Sequence, residues 1–113
     1  MSRAAGAVAE QQAAEYLQRA GFTILESNFT IKGGEIDLVC DDAGTLVFVE
    51  VRARTRADYG APEETISATK RRRIVLAARH YLVQRRIEDR ACRFDVIAIE
   101  GDDIRHLVDA FQL

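Results

Sequence analysis

Leu46-Val47-Phe48-Val49-Glu50-Val51 is the segment that most limits what this chain can fold into. All but one of its residues are apolar and β-branched valines recur through it, the pattern of a central strand buried on both faces. Such a strand needs a sheet around it and helices to cover that sheet. Glu50 breaks the run. An isolated carboxylate in that setting is costly, so it must be paired, hydrogen-bonded, protonated or bound to a metal.

The remaining segments supply neighbours for this strand. Residues 2–20 set Val8, Ala13, Ala14, Tyr16 and Leu17 among polar residues at near-helical spacing, with Gly21 as a stop, which predicts a first helix. Residues 21–28 are short, apolar and β-branched and predict a strand leading on through Asn28-Phe29-Thr30, with a turn or bulge at Lys32-Gly33-Gly34. From Glu35 to Cys40 the chain alternates, so Ile36, Leu38 and Cys40 are expected on one side and Glu35, Asp37 and Val39 on the other. Asp41-Asp42-Ala43-Gly44 is a hairpin connection into the strand from Thr45 to Arg54.

A polar loop follows, and then a glycine-free stretch, residues 62–86, in which Ile74, Val75, Ala78, Tyr81 and Leu82 form an apolar stripe. This predicts a second long helix, starting either after Pro62 or at a cap within Ser67-Ala68-Thr69. Residues 93–100 form another strand, and Gly101-Asp102-Asp103 turns it into a last short strand within residues 104–111. The order predicts an α/β fold with a mixed central sheet flanked by helices, because the helical crossover is what a parallel strand pair requires. A length of 113 residues fits one domain, residues 1–113, with no internal repeat or linker.

Strand periodicity groups the ionisable residues. Glu35 and Asp37 share a face, as do Glu50 and Arg52, with Arg54 one step further. A short hairpin would make the two strands antiparallel neighbours and bring Asp37 close to Glu50, in a register that the turn decides. Two such carboxylates raise one another's pKa unless a cation lies between them. Their oxygens suit Mg²⁺ or Mn²⁺, which polarises a phosphoryl oxygen and activates water. The competing readings are a structural ion pair of Asp37 and Glu50 with Arg52, and a pairing of Glu35 with Lys32 or Arg54 in place of an accessory role.

The net charge of −2 conceals an asymmetry. Residues 1–51 carry 3 basic and 8 acidic side chains, residues 52–93 carry 12 and 5, and residues 94–113 carry 1 and 5. The middle segment can therefore present a basic face to phosphates, which respond to local potential. Arg52, Arg54 and Arg56 alternate off the end of the third strand. Lys70, Arg71, Arg72 and Arg73 stand early in the second helix, and Arg72, Arg79 and Arg86 recur along one side. Such residues grip phosphates without reading bases, although a basic helix run is also an ordinary solvated face. Only Tyr59 offers an aromatic in a plausible loop.

No apolar run approaches the roughly 20 residues of a membrane span, and Glu10 and Glu15 interrupt the alanine-rich start where a signal peptide would be apolar. A cytoplasmic location without membrane contact is the expectation. Cys40 and Cys92 form no CxxC pair and are expected to be reduced, Cys40 buried. His80 and His106 are read as surface or interface residues, and Asp95 as structural, paired with an arginine.

Gly33-Gly34-Glu35-Ile36-Asp37-Leu38-Val39, the run from Leu46 to Arg52, Tyr59-Gly60-Ala61-Pro62-Glu63-Glu64, Lys70 and Arg93-Phe94-Asp95-Val96-Ile97 together resemble the bacterial YraN family. Gly6, Glu10, Ala13, Ala14, Tyr16, Leu17 and Gly21-Phe22 extend the resemblance over nearly the whole chain. That family is similar to the restriction-endonuclease-like superfamily with the PD-(D/E)xK signature, in particular to archaeal Holliday junction resolvases. The resemblance implies an αβββαβ core, Asp37 and Glu50 as metal ligands together with the backbone carbonyl of Val51, Glu10 as a third acid, and a homodimer. The signature ends in lysine, and here that position is Arg52. Arginine stays charged, so it can stabilise negative charge but cannot take a proton. Lys70 is the candidate to supply an amine from elsewhere, provided that it reaches Glu50.

The leading expectation is a metal-dependent endonuclease acting on DNA, on branched or recombination intermediates among others, with Glu10, Asp37, Glu50 and Arg52 as its catalytic residues. The alternatives are a nucleic-acid-binding module of the same fold with weak or no catalysis, and an interaction protein without a nucleic-acid partner. DNA is favoured over RNA.

Overall fold

The computed structural model describes residues 3–53 and 66–112, with side chains from residue 6. Its elements in chain order are α1 (Arg3–Arg19), β1 (Thr23–Ile31), β2 (Gly34–Asp42), β3 (Thr45–Ala53), α2 (Ala68–Gln84), β4 (Cys92–Glu100) and β5 (Asp103–Phe111). The strands form a mixed sheet in the order β1-β2-β3-β4-β5. β3 and β4 run parallel across the α2 crossover, and the other neighbours are antiparallel. This is the mixed α/β sheet with the αβββαβ core that the element order predicts, extended by β5.

β3 lies at the centre and feeds both layers of the core. Leu46 and Phe48 pack with Ile74, Ala77, Ala78 and Tyr81 of α2. Val47, Val49 and Val51 pack on the other face with Ala9, Ala13 and Leu17 of α1. The spacing of four residues in α1 makes one narrow stripe, and its two alanines let the helix lie close to the sheet. Val8, expected in that stripe, is 60% exposed and Ala9 takes its place, because the stripe follows the four-residue spacing on from Ala13 and Leu17.

Turn chemistry fixes the registers. Ala43 (φ 50°) and Gly44 (φ 98°) are both left-handed, as a two-residue hairpin of type I′ requires. Ser67 is the α2 cap, with an extended backbone and an Oγ that accepts from the Lys70 N–H at 3.1 Å. Of the two helix starts open in the sequence, this is the later. The helix ends at Gln84, Arg85 caps it, and Arg86 has φ 54°. Arg86 therefore leaves the helical row expected for Arg72, Arg79 and Arg86.

β5 is a full-length strand rather than a short one, with a register irregularity opposite Phe94–Val96 and Asp109 at φ 56°. The Asp109 N–H, displaced there from regular pairing, donates to Asp95 Oδ1 at 2.9 Å. Asp95 is fully buried and also accepts from Arg93 Nε at 2.9 Å. His106 Nε2 lies 2.7 Å from Asp95 Oδ2, and its Nδ1 lies 3.2 Å from the Tyr16 hydroxyl. His106 is therefore not the isolated surface residue that its spacing suggests, because strand pairing brings it over a partner eleven residues away. His80 is exposed, Cys40 is buried, and both cysteines are free.

Candidate functional site

The β2–β3 ladder runs from Asp42 opposite Thr45 to Leu38 opposite Val49 and ends there. One residue beyond, Asp37 Oδ2 accepts from the Val51 backbone N–H at 2.7 Å. A side chain thus satisfies a buried donor beyond the last paired residues. The same irregularity corrects the alternation expected for β2. Leu38 and Cys40 pack on the α1 side, but Ile36 joins Val39 on the α2 side. Beyond Leu38 β2 stays paired with β1 but not with β3, and there Ile36 packs with the α2 cluster.

Asp37 (9% exposed) and Glu50 (5% exposed) form the floor of a cleft of about 910 Å³. Gly6, Ala9 and Glu10 of α1 line one side, and Ser67, Thr69, Lys70 and Arg73 at the start of α2 line another. Glu35, Gly34 and the β1 end at Thr30 and Ile31 complete it, and Val51 also lines it. Burial pushes the Asp37 carboxyl up to about 9, the adjoining Glu50 carboxylate adds to the rise, the Val51 N–H opposes it, and the charge of Glu10 adds a little.

The Lys70 ammonium stands 2.7 Å from Glu50 Oε2, the contact on which a role for Lys70 depended in the sequence. That oxygen is inaccessible and has no aligned hydrogen bond. It has a charge neighbour and spare capacity as an acceptor. Among the described residues, no three His, Cys, Asp or Glu side chains close into a metal cage.

Glu10, Glu35, Asp37, Glu50, Val51, Lys70 and Arg73 are therefore brought to one cleft. Other candidates go elsewhere. Arg52 is half-buried beyond Glu50 and does not line the cleft. The Arg71 guanidinium lies 5.7 Å over the Phe111 ring, and the exposed Arg72 donates to Thr69 Oγ1 at 3.3 Å. Helical geometry divides the basic run, since residues 70 and 73 share a face that residues 71 and 72 do not. Arg54, Arg56 and Tyr59 lie outside the described residues.

Sequence reasoning passed over Gly6 and Thr30 as site residues. The available signal was Gly6 one helical turn before Glu10, a small residue that leaves room beside an acid. By its sequence context Gly34 marks a turn or bulge and part of the family motif, with no sign of a helix contact. A Cβ there would come within 2.4 Å of the Arg73 carbonyl oxygen, so the absence of a side chain lets α2 sit down on β2.

No helix among the described residues is long and apolar enough to cross a membrane. The profile of the family described as Uncharacterised protein family UPF0102 matches residues 9–99, which include every described lining residue of the cleft except Gly6. A UPF0102 protein of Dechloromonas aromatica is 51% identical over 108 residues, covering 96% of this chain and 88% of its own. One of Persephonella marina is 44% identical, covering 96% and 93%, and one of Methylibium petroleiphilum is 48% identical, covering 97% and 95%. With most of its cleft and most of its core inside the matched span, the chain belongs to the UPF0102, or YraN, family.

Proposed function

We propose that the protein is a metal-dependent nuclease that hydrolyses phosphodiester bonds of DNA. The observation that carries this reading is the pair of adjoining buried carboxylates, Asp37 and Glu50, on the floor of an open cleft that has Lys70 and Arg73 on its wall. Two acids packed together out of water are unfavourable by themselves, and the Asp37 pKa is raised accordingly, by burial first and by Glu50 next. A divalent cation resolves it.

The donors fit such an ion. Glu50 Oε2 has no aligned hydrogen bond, both acids supply hard oxygen ligands, and the Val51 carbonyl that the family resemblance implies as a further ligand follows Glu50 on the same strand. Mg²⁺ and Mn²⁺ need few protein ligands, because they keep several waters and take the rest from a substrate phosphate. When bound, such an ion polarises the phosphoryl oxygen and lowers the pKa of water.

The protein's own groups do the remaining work. Asp37 is held in place by the Val51 N–H, so its orientation is fixed before any ligand arrives. Glu10 adds a third negative charge at the edge of the cleft, and Arg73 offers a cation to a flanking phosphate. In the reaction, a water oxygen bonds to phosphorus and the bond from phosphorus to the leaving ester oxygen breaks. The water gives up a proton and the leaving oxygen gains one.

The test is cleavage of duplex, flap, four-way and single-stranded DNA, and of RNA, with Mg²⁺ and with Mn²⁺. Wild type should cut at least one DNA, and a folded Asp37→Ala variant should not. A second reading, a nucleic-acid-binding module without turnover, is favoured by Arg52, which replaces the signature lysine and does not line the cleft. That reading predicts DNA binding without cleavage, and binding undiminished in Asp37→Ala.

A further inference from the structure

We infer that Lys70, carried on the first turn of α2 rather than on β3, is the catalytic cation of this site and contacts the phosphoryl oxygens of the bound phosphodiester. The inference rests on the nuclease reading above.

Position comes first. Among the described residues Lys70 is the cation in contact with Glu50, at 2.7 Å, and it lines the cleft whose floor Glu50 forms. Its side chain is 44% exposed whereas that of Glu50 is 5% exposed. The lysine therefore reaches from the solvent side of the cleft down to the buried acid, along the path that a phosphate must take. Arg52, two residues past Glu50 on β3, does not line that cleft.

A purely structural ion pair would account for less. One ammonium matches the charge of Glu50 alone and leaves the second buried acid beside it unexplained, and removing a pair from water costs about as much as its attraction returns. An ammonium has three donors and no acceptor. Glu50 can occupy one, and the remaining two can turn to phosphoryl oxygens.

Placement is also built in. The Lys70 N–H is held by the Ser67 cap, the Arg71 N–H bonds to the Ser67 carbonyl at 2.9 Å, and the bare Gly34 lets this part of α2 seat against β2. A preorganised cation of this kind stabilises charge that develops on the phosphoryl oxygens without needing to reorganise. Lys70 acts here through its charge and hydrogen bonds, so the bonds made and broken are those of hydrolysis alone.

The experiment compares wild type, Lys70→Met and Lys70→Arg by thermal melting, Mn²⁺ binding calorimetry and single-turnover DNA cleavage. Lys70→Met should remain folded and bind Mn²⁺ at least as tightly, since a competing charge is gone, while cleavage slows by on the order of 100-fold. Lys70→Arg should recover part of that loss. Should Lys70→Met fail to fold, Lys70→Gln, which retains a donor for Glu50, carries the same comparison. Wild-type cleavage rates in the folded neutral variant overturn the inference alone, provided that Asp37→Ala is inactive. Loss of Mn²⁺ binding together with cleavage also overturns it, because Lys70 then only holds Glu50. No cleavage by wild type overturns both readings.

Discussion

Val51 gives its backbone N–H to the Asp37 side chain at 2.7 Å, one residue past the last paired position on β2 and two past it on β3. This bond makes Asp37 part of the sheet as well as part of the cleft. Substitutions at Asp37 therefore have two separable effects.

Asp37→Asn keeps an acceptor for Val51 and cannot ionise beside Glu50. Asp37→Ala removes the acceptor as well, and an unmet buried N–H costs about 1–3 kcal/mol. In chelator, the asparagine variant should be more stable than the alanine variant, as read by urea unfolding. Equal stabilities would mean that the Val51 bond contributes nothing.

The Asp37 carboxyl is raised in the folded state from 3.8 to about 9. A folded-state value above the unfolded one gives stability that is complete below pH about 4 and is lost as pH rises through about 9. Metal-free wild type should thus lose stability relative to Asp37→Asn across that window, in unfolding curves taken at several pH values. Parallel profiles for the two proteins would contradict the shift.

A divalent ion reverses the penalty that the two acids impose on each other. Mn²⁺ should raise the melting temperature of wild type with increasing concentration, more strongly at pH 8 than at pH 6, because binding displaces the Asp37 proton. Chelation should reverse the rise, and Asp37→Asn should show little of it.

Asp95 behaves in the opposite sense. Burial raises its pKa, but hydrogen bonds with His106 and Arg93 and from the Asp109 N–H outweigh burial and leave it below its usual value of 3.8. A depressed value gives stability that is present above about pH 4 and lost as pH falls below it. Asp95→Ala should cost about 3–5 kcal/mol, since Arg93 and His106 lose their common partner. Acid unfolding of that variant should lack the wild-type step below pH 4.

Gly34→Ala tests how tightly α2 must sit. The new Cβ would meet the Arg73 carbonyl at 2.4 Å, and backbone cannot swing aside as a side-chain tip can. Overpacking of this kind costs about 1–3 kcal/mol. Cleavage should fall as well, because the helix that carries Lys70 is displaced from Glu50. An active variant of unchanged stability would show that the contact is slack.

The sequence by itself determined the sheet and its central strand. The run from Leu46 to Val51 can be buried only between two covered faces, Ala43-Gly44 turns β2 back on β3, and a helix of α2's length forces β4 to run parallel to β3. It also marked Asp37, Glu50 and Lys70, because a carboxylate in such a strand requires a partner. Only the tertiary structure decided who those partners are. Local spacing sets which face a residue takes, but contacts between distant segments depend on where a ladder ends and how closely a helix packs. Hence Ile36 left the face of Leu38, Arg71 turned to Phe111, His106 joined Asp95, and Lys70 met Glu50 across twenty residues of chain.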